Sequence, residues 1–392
     1  MSVSRQPRQQ PDCILDRGEP DDPMTDTSTP VLYPDLTPVQ RACLETLPLS
    51  GNHVVSGPPG SGKSLLAAHR AVHLALTGHP TLLLSRSNLL RQLLRDTLKG
   101  LAVPAAPVEA ATVHSWVLGR FGREAPRTED GWFDWTALVH RAADTFGEDV
   151  TASHLVIDEG QDLAPGFYQV ARLAAASVTA FADECQRLTE TNSTFDEITT
   201  ALGRTTGRIE VDGNHRNTRE IASLAEFFRT GGIRSALPVR CGSLPVVRHY
   251  SSSTDLSDDI AAMARQQPKQ RVGVIVNSLR TAAELQRRLE GAGLAHEPQL
   301  YSSAAPSGRY RDLDLARPGV VLVHRASAKG LDFDTVVVAD AETDAATDPT
   351  AAELRMAYYV MITRARHRLV LGWQGTRLPR HLEGLQGWAV LR

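Results

Sequence analysis

Short apolar runs alternate along this chain with stretches whose apolar residues recur at helical spacing. The runs that predict strands are His53–Ser56, Thr81–Ser85, Glu109–His114, Leu155–Asp158 and Val178–Ala182. A later series comprises Pro245–Tyr250, Val272–Asn277, Val320–His324, Val336–Ala339 and Leu369–Trp373. Between them, helical periodicity marks Pro38–Thr46, Lys63–Leu76, Leu89–Leu98, Arg219–Phe228, Leu256–Arg265, Thr281–Leu289 and Glu353–Arg364. Strands alternating with helices predict parallel sheets covered on both faces. Two such blocks meet near Thr205–Ile209, so the predicted fold class is α/β with two tandem units, residues 32–206 and 207–392. Residues 1–31 are rich in Pro, Gln, Ser and Asp and carry almost no apolar period. Such a segment buries too little surface to offset its ordering entropy and is predicted to stay mobile. Met24 within it is a second candidate start.

Composition narrows the class without naming a chemistry. The chain has 392 residues, 42% apolar and 22% charged, which fits a soluble globular protein of two or three domains. Its apolar runs are far shorter than the roughly 20 residues needed to cross a bilayer, and no secretory pattern opens the chain. The expected setting is the cytoplasm, with no membrane partner. The four cysteines (Cys13, Cys43, Cys185, Cys241) are widely spaced and read as reduced thiols, not as a metal site. Net charge is −3; residues 1–36 hold three arginines against seven acidic groups, which leaves the remainder near +1. Bulk charge therefore does not announce a nucleic-acid partner.

Candidate chemistry begins after the first strand. Gly57, Pro58, Pro59, Gly60, Ser61, Gly62, Lys63 and Ser64 form the pattern GxxxxGKS between a strand and a helix. Glycines let successive backbone N–H groups converge on phosphate oxygens at a helix N-terminus. Lys63 adds a point charge at the β and γ phosphates, and the Ser64 hydroxyl is a ligand for Mg²⁺. The apolar run Leu155–Ile157 ends in Asp158 and Glu159, at the carboxyl edge where parallel sheets bind ligands. Asp158 is expected to hold Mg²⁺, and Glu159 to orient or deprotonate the water that attacks ATP.

At Asp158-Glu159-Gly160-Gln161-Asp162 the chain resembles a superfamily 1 helicase of the UvrD/Rep type, and further motifs of that family follow its usual order. Leu36–Gln40 resembles the Q motif, which implies that Gln40 reads the adenine edge. Leu84–Asn88 and Thr112–Ser115 resemble motifs Ia and Ib, implying that Arg86, Ser87, Thr112, His114 and Ser115 touch the backbone of single-stranded DNA. Ala182–Gln186 resembles motif III, whose glutamine, here Gln186, senses the γ-phosphate. Gly213–Thr218, Ser327–Phe333 and Tyr359–Ala365 resemble motifs IV, V and VI. From these, His215 is expected to stack on adenine, Gly330 and Asp332 to contact the nucleotide, and Ser327 to contact DNA. Arg216 and Arg364 are expected to bring positive charge to the γ-phosphate from the second unit.

The resemblance spans nearly everything from Leu36 to Trp373. It implies two RecA-like domains, ATP and Mg²⁺ in the cleft between them, and translocation 3′→5′ on single-stranded DNA. Backbone contacts discriminate RNA poorly, so RNA stays open as the track. The chain departs from the family pattern in four ways. His215 replaces the usual Tyr and offers less stacking area, and Asp332 replaces Glu. The aromatic usual after motif III is absent from Arg187–Asn192, leaving Trp116, Phe121, Trp132, Phe133 and Trp135 as core or stacking residues. Finally, the insertion points at 117–153 and 296–318 are short, the first with room for one or two helices. A motor without accessory domains points to either of two roles. One is a translocase that works alone, with or without unwinding duplex. The other is a partner-dependent ATPase subunit of a DNA repair or phage-defence complex. A small-molecule P-loop kinase fits poorly with the second-unit arginines, and no nuclease motif is present.

Overall fold

The computed structural model describes residues 31–101, 108–146, 153–183, 193–231, 236–302 and 313–392. The first unit runs α1 (Pro38–Thr46), β1 (His53–Ser56), α2 (Lys63–Ala75), β2 (Thr81–Ser85), α3 (Asn88–Leu101), β3 (Val108–Thr112) and α4 (Val113–Phe121). It continues through α5 (Trp135–Phe146), β4 (His154–Ile157), α6 (Pro165–Ala174), β5 (Ser177–Ala182), α7 (Phe195–Leu202) and β6 (Gly207–Glu210). The second unit holds α8 (Arg219–Phe228), β7 (Val246–His249), α9 (Ser253–Gln266), β8 (Arg271–Val276), α10 (Leu279–Glu290) and β9 (Gln299–Tyr301). It ends with β10 (Gly319–His324), β11 (Phe333–Val338), α11 (Ala352–Ile362), β12 (Ala365–Trp373) and β13 (Val390–Leu391).

Two sheets result, ordered β3-β2-β4-β5-β1-β6 and β13-β7-β12-β11-β8-β10-β9. Among the described residues every strand pair within them is parallel. The α/β class with two tandem units read from the sequence is thus the fold of the protein. Strand period 2 divides each apolar run between two cores. In β4, Leu155 and Ile157 enter one core while Val156 enters the other. In β8, Val272, Val274 and Val276 face α9 and α10, and Ile275 faces the core under α8 and α11. Gly273 lies against the buried Phe333 ring; a Cβ there would stand 2.3 Å from Cδ2. Gly273→Ala is expected to cost about 1–3 kcal/mol by overpacking, read as a lower denaturant midpoint.

One boundary is corrected. β6 pairs with β1 in register from His53↔Gly207 to Ser56↔Glu210, so the first sheet extends past residue 206 and the crossing falls after Glu210. The predicted strand Glu109–His114 also ends early, because Thr112 caps α4 through a reciprocal bond with Ser115 (Ser115 N–H to Thr112 Oγ1, 3.0 Å). The expected tail lies almost wholly outside the described residues. No helix among the described residues is long and apolar enough to cross a membrane.

Helix α3 joins the two units. Leu89 belongs to the second unit's core, Leu93 packs against it, and Gln92 Oε1 accepts the Leu313 N–H at 3.3 Å. Gly330 adopts φ +77, and a Cβ there would stand 2.1 Å from Leu90 Cδ2, so only glycine permits this approach.

The second unit also buries a polar chain. His381 Nε2 lies 2.8 Å from Tyr358 Oη, Tyr358 donates to Asp344 Oδ2 (3.4 Å), and His381 Nδ1 has no partner among the described residues. Burial holds the imidazole down to about 4, since a proton on Nδ1 would be a buried donor without an acceptor. The unfolded chain takes up that proton near pH 6.5 and the folded chain refuses it until about pH 4. Stability from this site is therefore complete above pH 6.5 and is lost as pH falls towards 4, by on the order of 3 kcal/mol. His381→Asn is expected to flatten the unfolding free energy across that window relative to the parent chain.

Candidate active site

The order β4-β5-β1 sets three carboxyl-terminal strand ends side by side. From β1 comes the phosphate loop, from β5 Asp183, and from β4 the pair Asp158 and Glu159. Gly60 and Gly62 take φ +83 and +89, which turns the loop into α2. Gly62 caps α2 without a side-chain bond, so the helix start presents backbone donors and its positive dipole end to the loop. Lys63 Nζ donates to the Gly57 and Pro58 carbonyls (2.7 and 2.8 Å) and lies 3.4 Å from Asp183 Oδ2. Gln40 donates to the Ser61 carbonyl (3.0 Å) and accepts the Thr37 N–H (3.0 Å). Both ends of its amide thus support the loop and the start of α1.

Asp158 is buried, and the Ser64 hydroxyl bonds to it. Burial, reinforced by the Glu159 charge, pushes its pKa up to about 7. Its Oδ2 and the Ser61 Oγ are buried without partners among the described residues. An orphaned carboxylate oxygen beside a serine hydroxyl is the hard, oxygen-rich donor set that suits Mg²⁺. The residues present fit that ion together with a nucleotide phosphate.

Glu159 is the sole non-glycine residue with positive φ (54°) among those described, a conformation that costs on the order of 1–2 kcal/mol. Gln161 holds it, donating to Glu159 Oε2 (2.5 Å) while accepting the Asp183 N–H (2.8 Å). Lys329 Nζ stands 2.5 Å from Asp162 Oδ1 and 4.0 Å from Glu159 Oε2. Burial alone would raise Glu159, but the Lys329, Lys63 and Arg364 charges outweigh it and keep this carboxyl below its usual range.

From the second unit, segment 211–217 lies across the phosphate loop. His215 N–H donates to the Gly60 carbonyl (2.9 Å), and a Cβ on Gly60 would collide with Asn214 Oδ1. Asn214 Oδ1 accepts the Arg216 and Asn217 N–H groups (3.1 Å each). Asn217 Nδ2 donates to the carbonyls of Thr363 (3.2 Å) and Ala365 (2.6 Å), either side of Arg364. Arg364 is buried and bonds to the carbonyls of Val360 (2.9 Å) and Leu331 (3.3 Å) and to Thr363 Oγ1 (3.1 Å). Burial and the neighbouring Arg216 bring it down to about 10, while Glu159, Asp332 and Asp183 favour its charge.

The other expected residues are placed as follows. Asp332 pairs with Arg366 (2.7 Å), Arg271 (3.6 Å) and Arg216 (3.7 Å), so it anchors an arginine cluster. Burial opposes its ionisation, but those three cations hold it far below the usual carboxylate range. Gly330 faces Leu90 of α3. His215 is exposed beside the loop. Ser87 Oγ accepts the Leu90 N–H (3.0 Å), and Thr112 and Ser115 cap each other. Arg86 is exposed, His114 packs on Phe133 with centroids 5.3 Å apart, and Ser327 closes a short 3-10 turn. Gln186 lies outside the described residues. Sequence reasoning gave no role to Lys329, Gln161, Asp183 and Asn217, although all four stand inside the motif-like stretches.

No family model and no curated protein matches the chain. Solved structures similar to it include the C-terminal domain of a possible DNA helicase from Lactobacillus plantarum WCFS1 (24% identity, TM-score 0.34, 45% of this chain and 97% of that one). A Dbp5 variant from S. cerevisiae bound to RNA and ADP BeF3 aligns at 14% identity and TM-score 0.48, over 91% of this chain and 94% of that one. The DExH-box NTPase HrpB of E. coli aligns at 13% identity and TM-score 0.41; the match covers 92% of this chain and 43% of that protein.

Proposed function

We propose that this protein is an ATP-dependent nucleic-acid motor of the superfamily 1 type, hydrolysing ATP between units 32–210 and 211–392 and moving 3′→5′ on single-stranded DNA. The observation that carries this reading is segment 211–217, bonded to the phosphate loop at Gly60 and to the backbone around Arg364 at Asn217. Phosphate seated in the loop therefore changes the contact that links the two units, which is the coupling a motor needs.

Lys63 exchanges the Gly57 and Pro58 carbonyls for the β and γ phosphates. Ser64 and Asp158 would hold Mg²⁺, which when bound would offset the negative charge of the phosphates. Glu159, fixed by Gln161 and Lys329, orients a water and accepts its proton as the water oxygen bonds to the γ-phosphorus. The bond from that phosphorus to the β-γ bridging oxygen breaks, and Arg216 and Arg364 offset the charge that develops.

A second reading, a partner-dependent ATPase subunit, is favoured by the exposed apolar side chains Leu237, Val239 and Leu244 ahead of β7; Val239 is 89% exposed. Streptavidin displacement separates the two. The motor reading predicts ATP-dependent release from a 5′-biotinylated oligonucleotide and none from its 3′-biotinylated counterpart. Release from neither end by the chain alone contradicts autonomous translocation and favours the subunit.

A further inference from the structure

The aromatic residues of α4 and of the turn ahead of α5 divide sharply. Trp116 and Phe121 are buried in the first unit's core, and Phe133 is 1% exposed within it. Trp132, the neighbour of Phe133, is part-exposed and packs on the outside of the same core. Its position is fixed by a tight turn. Thr128 N–H donates to the Trp132 carbonyl (2.9 Å), Trp132 N–H donates to Asp130 Oδ1 (3.2 Å), and Gly131 supplies φ +79. Arg127 bridges backbone to backbone with Phe133 and donates to the Gly131 carbonyl (2.8 Å).

One cation lies over this ring and a second over the adjoining Phe133 ring. The Arg86 guanidinium lies 5.6 Å from the Trp132 centroid, and Arg127 donates to His114 Nε2 (3.3 Å) while covering Phe133 at 4.8 Å. Arg86, Arg127 and the turn are exposed, so this shelf opens to solvent. A rigid aromatic face with guanidinium groups beside it combines stacking for a base with charge for the adjoining phosphates. We propose that Trp132, with the displaceable Arg86 over its ring and Arg127 over the adjoining Phe133, is a stacking subsite for an unpaired base of single-stranded nucleic acid. The proposal rests on the motor reading and names a binding residue for it.

The subsite also has a route to hydrolysis. Arg86 donates to the Asp162 carbonyl (3.0 Å), and the Asp162 carboxylate holds Lys329, which in turn lies beside Glu159. A phosphate that draws Arg86 away shifts the residue that sets the Lys329 position.

Binding of a labelled oligodeoxythymidylate by the full chain, followed by anisotropy, tests this directly. Trp132→Ala is expected to weaken binding by about 5- to 150-fold with nucleotide affinity unchanged, and Trp132→Phe to restore most of it. Binding should also quench tryptophan emission in the parent chain and not in Trp132→Phe, which decides the matter if Trp132→Ala fails to fold. Oligouridylate run in parallel identifies the sugar of the track, and the same loss is expected on whichever strand the parent chain holds. Undiminished binding by Trp132→Ala, or equal quenching in Trp132→Phe, overturns the subsite and leaves the motor reading standing. No binding of either strand by the parent chain overturns both.

Discussion

Glu159→Gln is expected to reduce ATP turnover by about 10²–10⁴-fold while nucleotide binding survives. The substitution keeps the side chain's shape and its place beside Gln161 but removes the acceptor for the water's proton. Glu159 stays ionised at neutral pH because Lys329, Lys63 and Arg364 outweigh its burial. Its strained backbone places the carboxylate beside the phosphate loop instead of continuing β4. Neutralising it also removes the charge that helps push up Asp158, so the two carboxylates separate their roles: one accepts a proton, the other holds the ion. Turnover and fluorescent-nucleotide affinity measured on the same preparation check this. Turnover within about tenfold of the parent would exclude Glu159 as the base.

Arg216→Ala is expected to lower turnover by about 10³-fold or more, with a small effect on stability. The geometry around Asp332 explains the choice. Arg366 holds that carboxylate closely through two nitrogens (2.7 and 3.1 Å), while Arg216 stands at 3.7 Å. Arg216 can leave this loose pair for a phosphate without stranding the carboxylate. Its Cβ also lies 3.1 Å from where a Cβ on Gly60 would stand, so it borders the phosphate loop directly. Arg364 differs: it is buried and bonds to Val360, Leu331 and Thr363 of its own unit, so Arg364→Ala should lose stability as well as turnover. Single-turnover hydrolysis at saturating nucleotide, alongside denaturant unfolding, separates the two cases. Equal stability losses for both variants would argue against a catalytic part for Arg216.

The parts of this account legible in the sequence are those that short-range pattern dictates. A glycine-rich turn between strand and helix, and an apolar run ending in two acids, each carry their chemistry within eight residues. Strand β6 was not legible because Gly207-Arg-Ile-Glu210 offers one apolar side chain; as a half-exposed edge strand it needs no more. The end of β3 is not legible either: Val113 and His114 continue its pattern but belong to α4, because the Thr112 cap depends on where that helix begins. Lys329 and Asn217 owe their importance to partners 167 and 146 residues away, a tertiary fact that no local period records. Trp132 and Phe133 are adjacent and chemically alike, and only the turn at Thr128–Trp132 decides which one faces the core.

ATP hydrolysis by the purified chain with and without single-stranded DNA, with Lys63→Ala in parallel, tests the central claim most directly. Hydrolysis is expected to rise strongly with DNA and to disappear in Lys63→Ala. Hydrolysis indifferent to DNA, or retained in Lys63→Ala, would contradict it.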